Sequence, residues 1–331
     1  MVNNKVNYID SIRAYGAIAV ILIHVSGYYL SYTPFTNTLN WNIANIVDSM
    51  SRFAVPIFYM ISGFIFFNDK SPTIKNFIKI TGAILFYSVF SLIIIKAITF
   101  NYGFEPYPKY KDIFKSPAYY HLWFMYPLIG IYIISMIVKI KNISCTKGVV
   151  ISLFLFIFFN KNAAEQLLLL FDINYYFYFM FDGDFIFYLL YAVVGGFLRN
   201  VDTKNKYIYL CVYIVSTISI AVVISLNYES KSNIQSLLYG YNTPLVFISA
   251  VSLFLFAKKS NKSGKVTSFI SKHSLGIYGF HAPILMAIQV VFPYSKLTPL
   301  IGIPVVSLIL MAICITLSSI TIYFDKNRFV S

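Results

Sequence analysis

The chain has 331 residues, of which 58% are hydrophobic and only 11% are charged. Soluble domains carry about 25% charged residues, so the composition excludes an ordinary water-soluble enzyme, and the apolar runs leave no stretch of roughly 50 residues for a separate soluble domain. The net charge of +14 does not point to nucleic acid, because the basic residues sit in short connectors between apolar runs and form no aromatic-interleaved patch.

A bilayer core about 30 Å thick takes roughly 20 apolar residues as a helix. On that rule, spans are predicted at 10–30, 46–67, 77–99, 120–138, 146–160, 183–199, 207–227, 240–257, 273–292 and 299–323. They describe one domain, 1–331, an all-α polytopic membrane protein of about ten transmembrane helices. No A-x-A-like cleavage site follows residues 14–30, so the first run is expected to stay as a helix. Eighteen basic residues fall in connectors on one side, among them Lys5, Lys70, Lys75, Lys79, Lys139, Lys141, Lys204, Lys258, Lys262, Lys272 and Arg328. Six fall on the other: Lys109, Lys111, Lys115, Lys161, Lys231 and Lys296. The positive-inside rule makes the first side, which carries both the N- and C-termini, cytoplasmic. Counting 163–181 as a further span would turn the lysines between 258 and 272 outward. That segment, rich in Leu, Phe and Tyr, is therefore expected to lie on the outer surface or dip into it. Cys145, Cys211 and Cys314 show neither CxxC nor metal-ligand spacing, which argues against a disulfide framework or a zinc site.

Charged groups inside spans are costly and are functional candidates by default. The first span carries Asp10, Arg13 and His24. Eleven residues separate Arg13 from His24, three helical turns plus roughly 20°, so they share a face about 16 Å apart. Gly16, Ala17 and Val20 lie between them, and this small-residue stripe predicts a groove joining the two. The structural alternative makes Arg13 a topology anchor and His24 a helix–helix hydrogen bond. Asp48 and Arg52 open the second span at i,i+4 spacing, which suits an ion pair, with Pro56 a potential kink and Ser62-Gly63 a point of close approach. His121 and Trp123 open the fourth span, where an aromatic belt is the structural alternative. His281, followed by Pro283, lies inside the ninth, and a neutral histidine bonded to a backbone carbonyl is the alternative there. His273 reads as solvated at the cytoplasmic edge. No Walker A, HExxH or GxSxG motif is present, so nothing supports ATP hydrolysis, zinc proteolysis or a serine hydrolase elbow.

Asp10, Arg13 and His24, together with SRFAVPIFYMISGF, HLWFM and SLGIYGFHAPI, resemble the acyltransferase 3 family of membrane acyltransferases, and the likeness runs from the first span to the last. The resemblance implies a multi-pass protein of the bacterial cytoplasmic (inner) membrane. It implies acetyl transfer from cytoplasmic acetyl-CoA to a hydroxyl of a surface polysaccharide or its lipid-linked precursor. It also implies activity tied to the first-helix Arg and His, here Arg13 and His24, with Asp10 beside them.

On this reading the coenzyme A phosphates need cations, for which Arg is well suited. Arg13 is the first candidate, and Arg52, Lys75, Lys70 and Lys272 are the others. The donor's arm would pass Gly16 and Ala17 toward His24, which would accept the hydroxyl proton or carry the acetyl group itself. His121, Trp123, Tyr278 and His281 are the candidates for the acceptor, with the aromatic segment 163–181 beside them. No metal is implied. The competing readings are a transporter or flippase for a glycan or lipid-linked sugar, and a non-catalytic subunit of a surface-polysaccharide assembly.

Overall fold

The computed structural model describes residues 7–33, 38–68, 70–102, 116–140, 144–175, 180–201, 205–227, 238–260 and 264–331. The expected charges Lys5, Lys109, Lys111, Lys115, Lys141, Lys204, Lys231 and Lys262, and the side chain of Cys145, lie outside the described residues. The described chain is a helical bundle. It comprises α1 (Asn7–Tyr32), α2 (Thr38–Ser51), α3 (Ala54–Phe66), α4 (Ile74–Tyr102), a 3₁₀ turn (Tyr120–Phe124) leading into α5 (Met125–Ile137), α6 (Cys145–Phe158), α7 (Lys161–Phe171), α8 (Asp184–Leu198), α9 (Lys206–Asn227), α10 (Pro244–Ser260), α11 (Lys265–Val291) and α12 (Pro299–Phe324).

Each of the ten predicted runs falls on a helix or a helix pair. Among the described residues, seven segments are long and apolar enough to cross a membrane. The runs at 146–160, 183–199 and 240–257 form helices of 14, 15 and 17 residues, about 21 to 26 Å at 1.5 Å per residue, against a core of about 30 Å. The segment after α6 does not cross. Its backbone returns to its starting level, where the Phe181 amide donates to the Phe159 carbonyl at 2.6 Å, and α7 between them has only 11 residues.

The run Thr38–Phe66 breaks at Arg52 and Phe53. Pro56 has no N–H for the Arg52 carbonyl four residues earlier, so the α-helical ladder cannot continue through that point. Helix α1 lies at the centre, against α2, α3, α10, α11 and α12, and α3 packs on α8 through glycine. A Cβ at Gly63 would strike the Ala192 backbone, and one at Gly195 would strike the Met60 carbonyl. Gly63→Ala and Gly195→Ala are each expected to cost about 1–3 kcal/mol by overpacking, read as a lower thermal midpoint in detergent. An unchanged midpoint would mean that this pair of helices can part without loss.

The basic residues that set the predicted topology also finish helices. Helices α3 and α8 end at the same face, where the last carbonyls lack partners and the helix dipole is negative. The Lys139 ammonium donates to the carbonyls of Phe66 and Lys70 and to the Ser71 hydroxyl, all at 2.9 Å. That of Lys258 donates to the carbonyls of Leu198, Arg199 and Val201 at 2.7–2.8 Å. The start of α1, the start of α11 and the segment after α12 share this basic end. His273 is buried, contrary to the solvated position expected from the sequence. Helix α11 begins eight residues earlier, at Lys265, which draws His273 inside, 3% exposed, with its Nδ1 3.0 Å from the Ser318 hydroxyl.

Candidate active site

A cavity of about 610 Å³ opens at the basic end between α1, α3, α4, α5 and α11. Arg13, Lys79, Lys272 and Arg328 line it, and its walls continue over Ile61, Ile65 and Leu128 to Phe58, Phe124 and Tyr278. Asp10 is buried. Its carboxylate accepts from the Ser271 hydroxyl at 3.0 Å and lies 3.8 Å from the Arg13 guanidinium, which stays partly exposed to the cavity. The segment after α12 folds back to build the rim. The Asp325 carboxylate accepts from the amides of Phe329, Val330 and Ser331 at 2.7–2.9 Å. Desolvation opposes its ionisation, but the hydrogen bonds from Val330, Phe329 and Ser331 together outweigh it and hold the carboxyl below the usual carboxylate range. The Tyr87 hydroxyl donates to the Val330 carbonyl at 3.1 Å, and Lys79 donates to that of Ser331. Within this turn Arg328 adopts φ 58° and presents its side chain to the cavity.

Beyond the inner wall lie three imidazoles. His24 is part-exposed, with its ring 4.8 Å from that of His281 and its Nδ1 3.4 Å from the Tyr120 hydroxyl. His121 lies 5.1 Å from His281, ring to ring. The Tyr278 hydroxyl donates to the His121 carbonyl, and the Tyr278 ring belongs to both compartments, lining the cavity and standing 5.8 Å from His281. Trp123 stacks on Tyr241 at 5.8 Å and meets Tyr188 at a tilt at 5.3 Å; Trp123 and Tyr241 are partly exposed and Tyr188 is buried behind them.

Eight of the eleven catalytic and binding candidates named from the sequence fall in these two compartments: Arg13 and Lys272 at the cavity with Asp10 beside Arg13, His24, His121, Trp123 and His281 beyond it, and Tyr278 between. The expected groove along α1 is filled. The Phe58 ring packs onto Gly16, where a Cβ would come within 2.9 Å of it, and Ala17 and Val20 are buried. The open space runs beside α1, not along its small-residue stripe, and stops one aromatic layer short of His24.

Arg52 does not join Arg13. It pairs with Asp48, donates to the Tyr239 carbonyl at 3.3 Å, and lies 4.2 Å from the centre of the Tyr239 ring. The second span runs toward the basic end, so its first turns belong to the opposite half. Lys75 points outward, exposed, while Lys79 one turn on lines the cavity. Beyond the i,i+4 spacing from Lys75 to Lys79, Lys79 and Arg328 carry no mark in the sequence that sets them apart as donor-binding residues.

The family model for an acyltransferase domain, acyltransferase 3, matches residues 6–323. No curated protein and no solved structure matches the chain.

Proposed function

Because the chain belongs to the acyltransferase 3 family, a family of membrane acyltransferases, we propose that it moves an acetyl group from acetyl-CoA, entering at the basic end, to a hydroxyl of a surface polysaccharide or its lipid-linked precursor. The observation that carries this reading is the cavity: four cations at its rim, an apolar bore, and an inner wall of Phe58, Phe124 and Tyr278 beneath three imidazoles. Coenzyme A has matching parts, a phosphorylated nucleotide for Arg13, Lys79, Lys272 and Arg328, and a slender arm for the bore. The excess of basic residues at this end supports a cytoplasmic side, where the donor is made, and the proposed membrane is the bacterial inner membrane. The family favours group transfer over the transport of a glycan.

His24 acts as general base. Its imidazole takes the proton of the acceptor hydroxyl as that oxygen attacks the thioester carbonyl; the C–O bond forms, the C–S bond breaks, and the proton returns to the leaving thiolate. Tyr278 and Phe124 must turn for the thioester to pass. The partly exposed rings of Trp123 and Tyr241, backed by Tyr188, offer stacking faces for sugar rings. A repeating-unit surface glycan, of the kind that an O-acetyltransferase of enterobacterial common antigen would modify, is the acceptor this reading takes.

Purified protein given labelled acetyl-CoA and membrane glycolipid is expected to place label on the glycan as a base-labile ester. Failure to bind acetyl-CoA at all would overturn the reading. Arg13→Glu is expected to raise the donor KM about 10–100-fold, the worth of a hydrogen bond to a charged partner, with kcat little changed. An unchanged KM would remove Arg13 from the phosphate site.

A further inference from the structure

The SLGIYGFHAPI segment fixes the protonation pattern of two histidines. Pro283 has no N–H, so the Gly279 carbonyl, four residues earlier in α11, is left without its helical donor. His121 supplies one: its Nε2 lies 3.1 Å from that carbonyl. A carbonyl only accepts, so His121 carries its proton on Nε2. His281 obeys the same rule, with its Nδ1 2.6 Å from the Tyr278 carbonyl and 3.2 Å from that of Ile277, and so carries its proton on Nδ1. Each neutral ring must then hold a bare lone pair on its other nitrogen. Those atoms, His121 Nδ1 and His281 Nε2, are buried and have no hydrogen-bond partner, in side chains that are 2% and 0% exposed. A buried acceptor left unpaired is costly, and His24 is the ring next to His281.

We infer that His281 is a positioning residue for His24: a small turn of the His24 ring, 4.8 Å away centre to centre, brings its N–H onto the enforced Nε2 lone pair and leaves His24 Nδ1 as the base. This rests on the acyl-transfer reading above. The opposite tautomer of His24 would set two lone pairs against each other. In the absence of substrate, the Tyr120 hydroxyl occupies Nδ1, and the acceptor hydroxyl replaces it. The hydroxyl proton moves to His24 Nδ1, the imidazolium N–H is held by His281 Nε2, and the proton leaves from Nδ1 to the thiolate. His281 is neutral throughout, and no net proton is gained or lost.

The test compares the full-length protein with His281→Phe, His281→Leu and His281→Gln in two assays. In acetyl transfer, Phe or Leu is expected to lower kcat about tenfold at unchanged donor KM, the worth of one neutral hydrogen bond. Gln, whose amide oxygen accepts the same N–H, is expected to recover part of the rate. In the second assay diethyl pyrocarbonate, which acylates neutral imidazole, is followed on His24 by peptide mass spectrometry. His24 is expected to label about tenfold more slowly when the hydrogen bond from its N–H is lost. Equal labelling of His24 in the wild type and in whichever of the Phe and Leu variants keeps its thermal midpoint overturns the positioning role, whatever the transfer assay gives. Slowed labelling in a protein that transfers no acetyl group upholds the positioning and counts against the acetyl-CoA reading.

Discussion

His24→Ala is expected to lower acetyl transfer about 10²–10⁴-fold, the range over which a positioned general base acts, while leaving donor binding intact. The two halves of this expectation come from different places in the bundle. His24 does not line the cavity at the basic end, and Tyr278 and Phe124 close that cavity before it, so coenzyme A affinity should be unmoved. The side chain is part-exposed and its contacts are the Tyr120 hydroxyl at 3.4 Å and the His281 ring. Trimming it removes no large buried volume, so the cost to thermal stability should be about 1–3 kcal/mol, that of leaving the buried His281 acceptor unpaired. A rate assay on labelled acetyl-CoA with membrane glycolipid, run beside a coenzyme A binding isotherm, separates the terms. Wild-type transfer by the alanine variant would take His24 out of the chemistry. Loss of donor binding together with rate would make the residue a structural prop instead.

Much of this arrangement is legible in one dimension, and the reason is the bilayer. A backbone in lipid must satisfy its own hydrogen bonds, so a long apolar run has little choice but to be helical, and the runs marked helices throughout. The Asp10, Arg13 and His24 set was legible because helical phase is fixed at 100° per residue. Phase alone does not say what packs against a face, and so Phe58, brought by α3 from forty residues away, fills the stripe at Gly16 that looked like a groove. Arg328 and Lys79 could not be separated from the other basic residues. A topology count weighs every connector lysine alike, whereas here Lys139 and Lys258 cap helices and Lys79 and Arg328 edge a cavity. Arg52 was misplaced for a different reason. Its charge suggested phosphate, but the direction of its own span already put it in the other half of the membrane. The Gly279–Pro283 spacing was visible throughout; only the fold shows that the carbonyl it frees is met by His121.

Arg52→Ala is expected to cost about 3–5 kcal/mol, the penalty for leaving one partner of a buried ion pair without the other. Asp48 is fully buried, and beyond Arg52 its carboxylate has the Ser26 hydroxyl at 3.3 Å. With the guanidinium gone, an ionised carboxylate would face apolar surroundings with one hydroxyl to hold it, and the Tyr239 ring and carbonyl would lose the cation that ties them to α2. The loss should show as a sharply lower thermal midpoint in detergent and as little folded protein in membranes. The double variant Asp48→Leu with Arg52→Met removes both charges at similar volume and is expected to restore most of the stability, since a well-packed apolar pair commonly matches a buried ion pair. The contrast also tests what the pair is for. Arg52 is tied through Asp48 to the Ser26 hydroxyl, and Ser26 lies two residues beyond His24 in α1. If the double variant is stable and still transfers acetyl groups at the wild-type rate, the pair serves only to join α2 to the segment around Tyr239. If it is stable but slow, the buried charge belongs to the environment in which His24 works. A wild-type midpoint for Arg52→Ala alone would contradict both, because it would mean that Asp48 needs no partner.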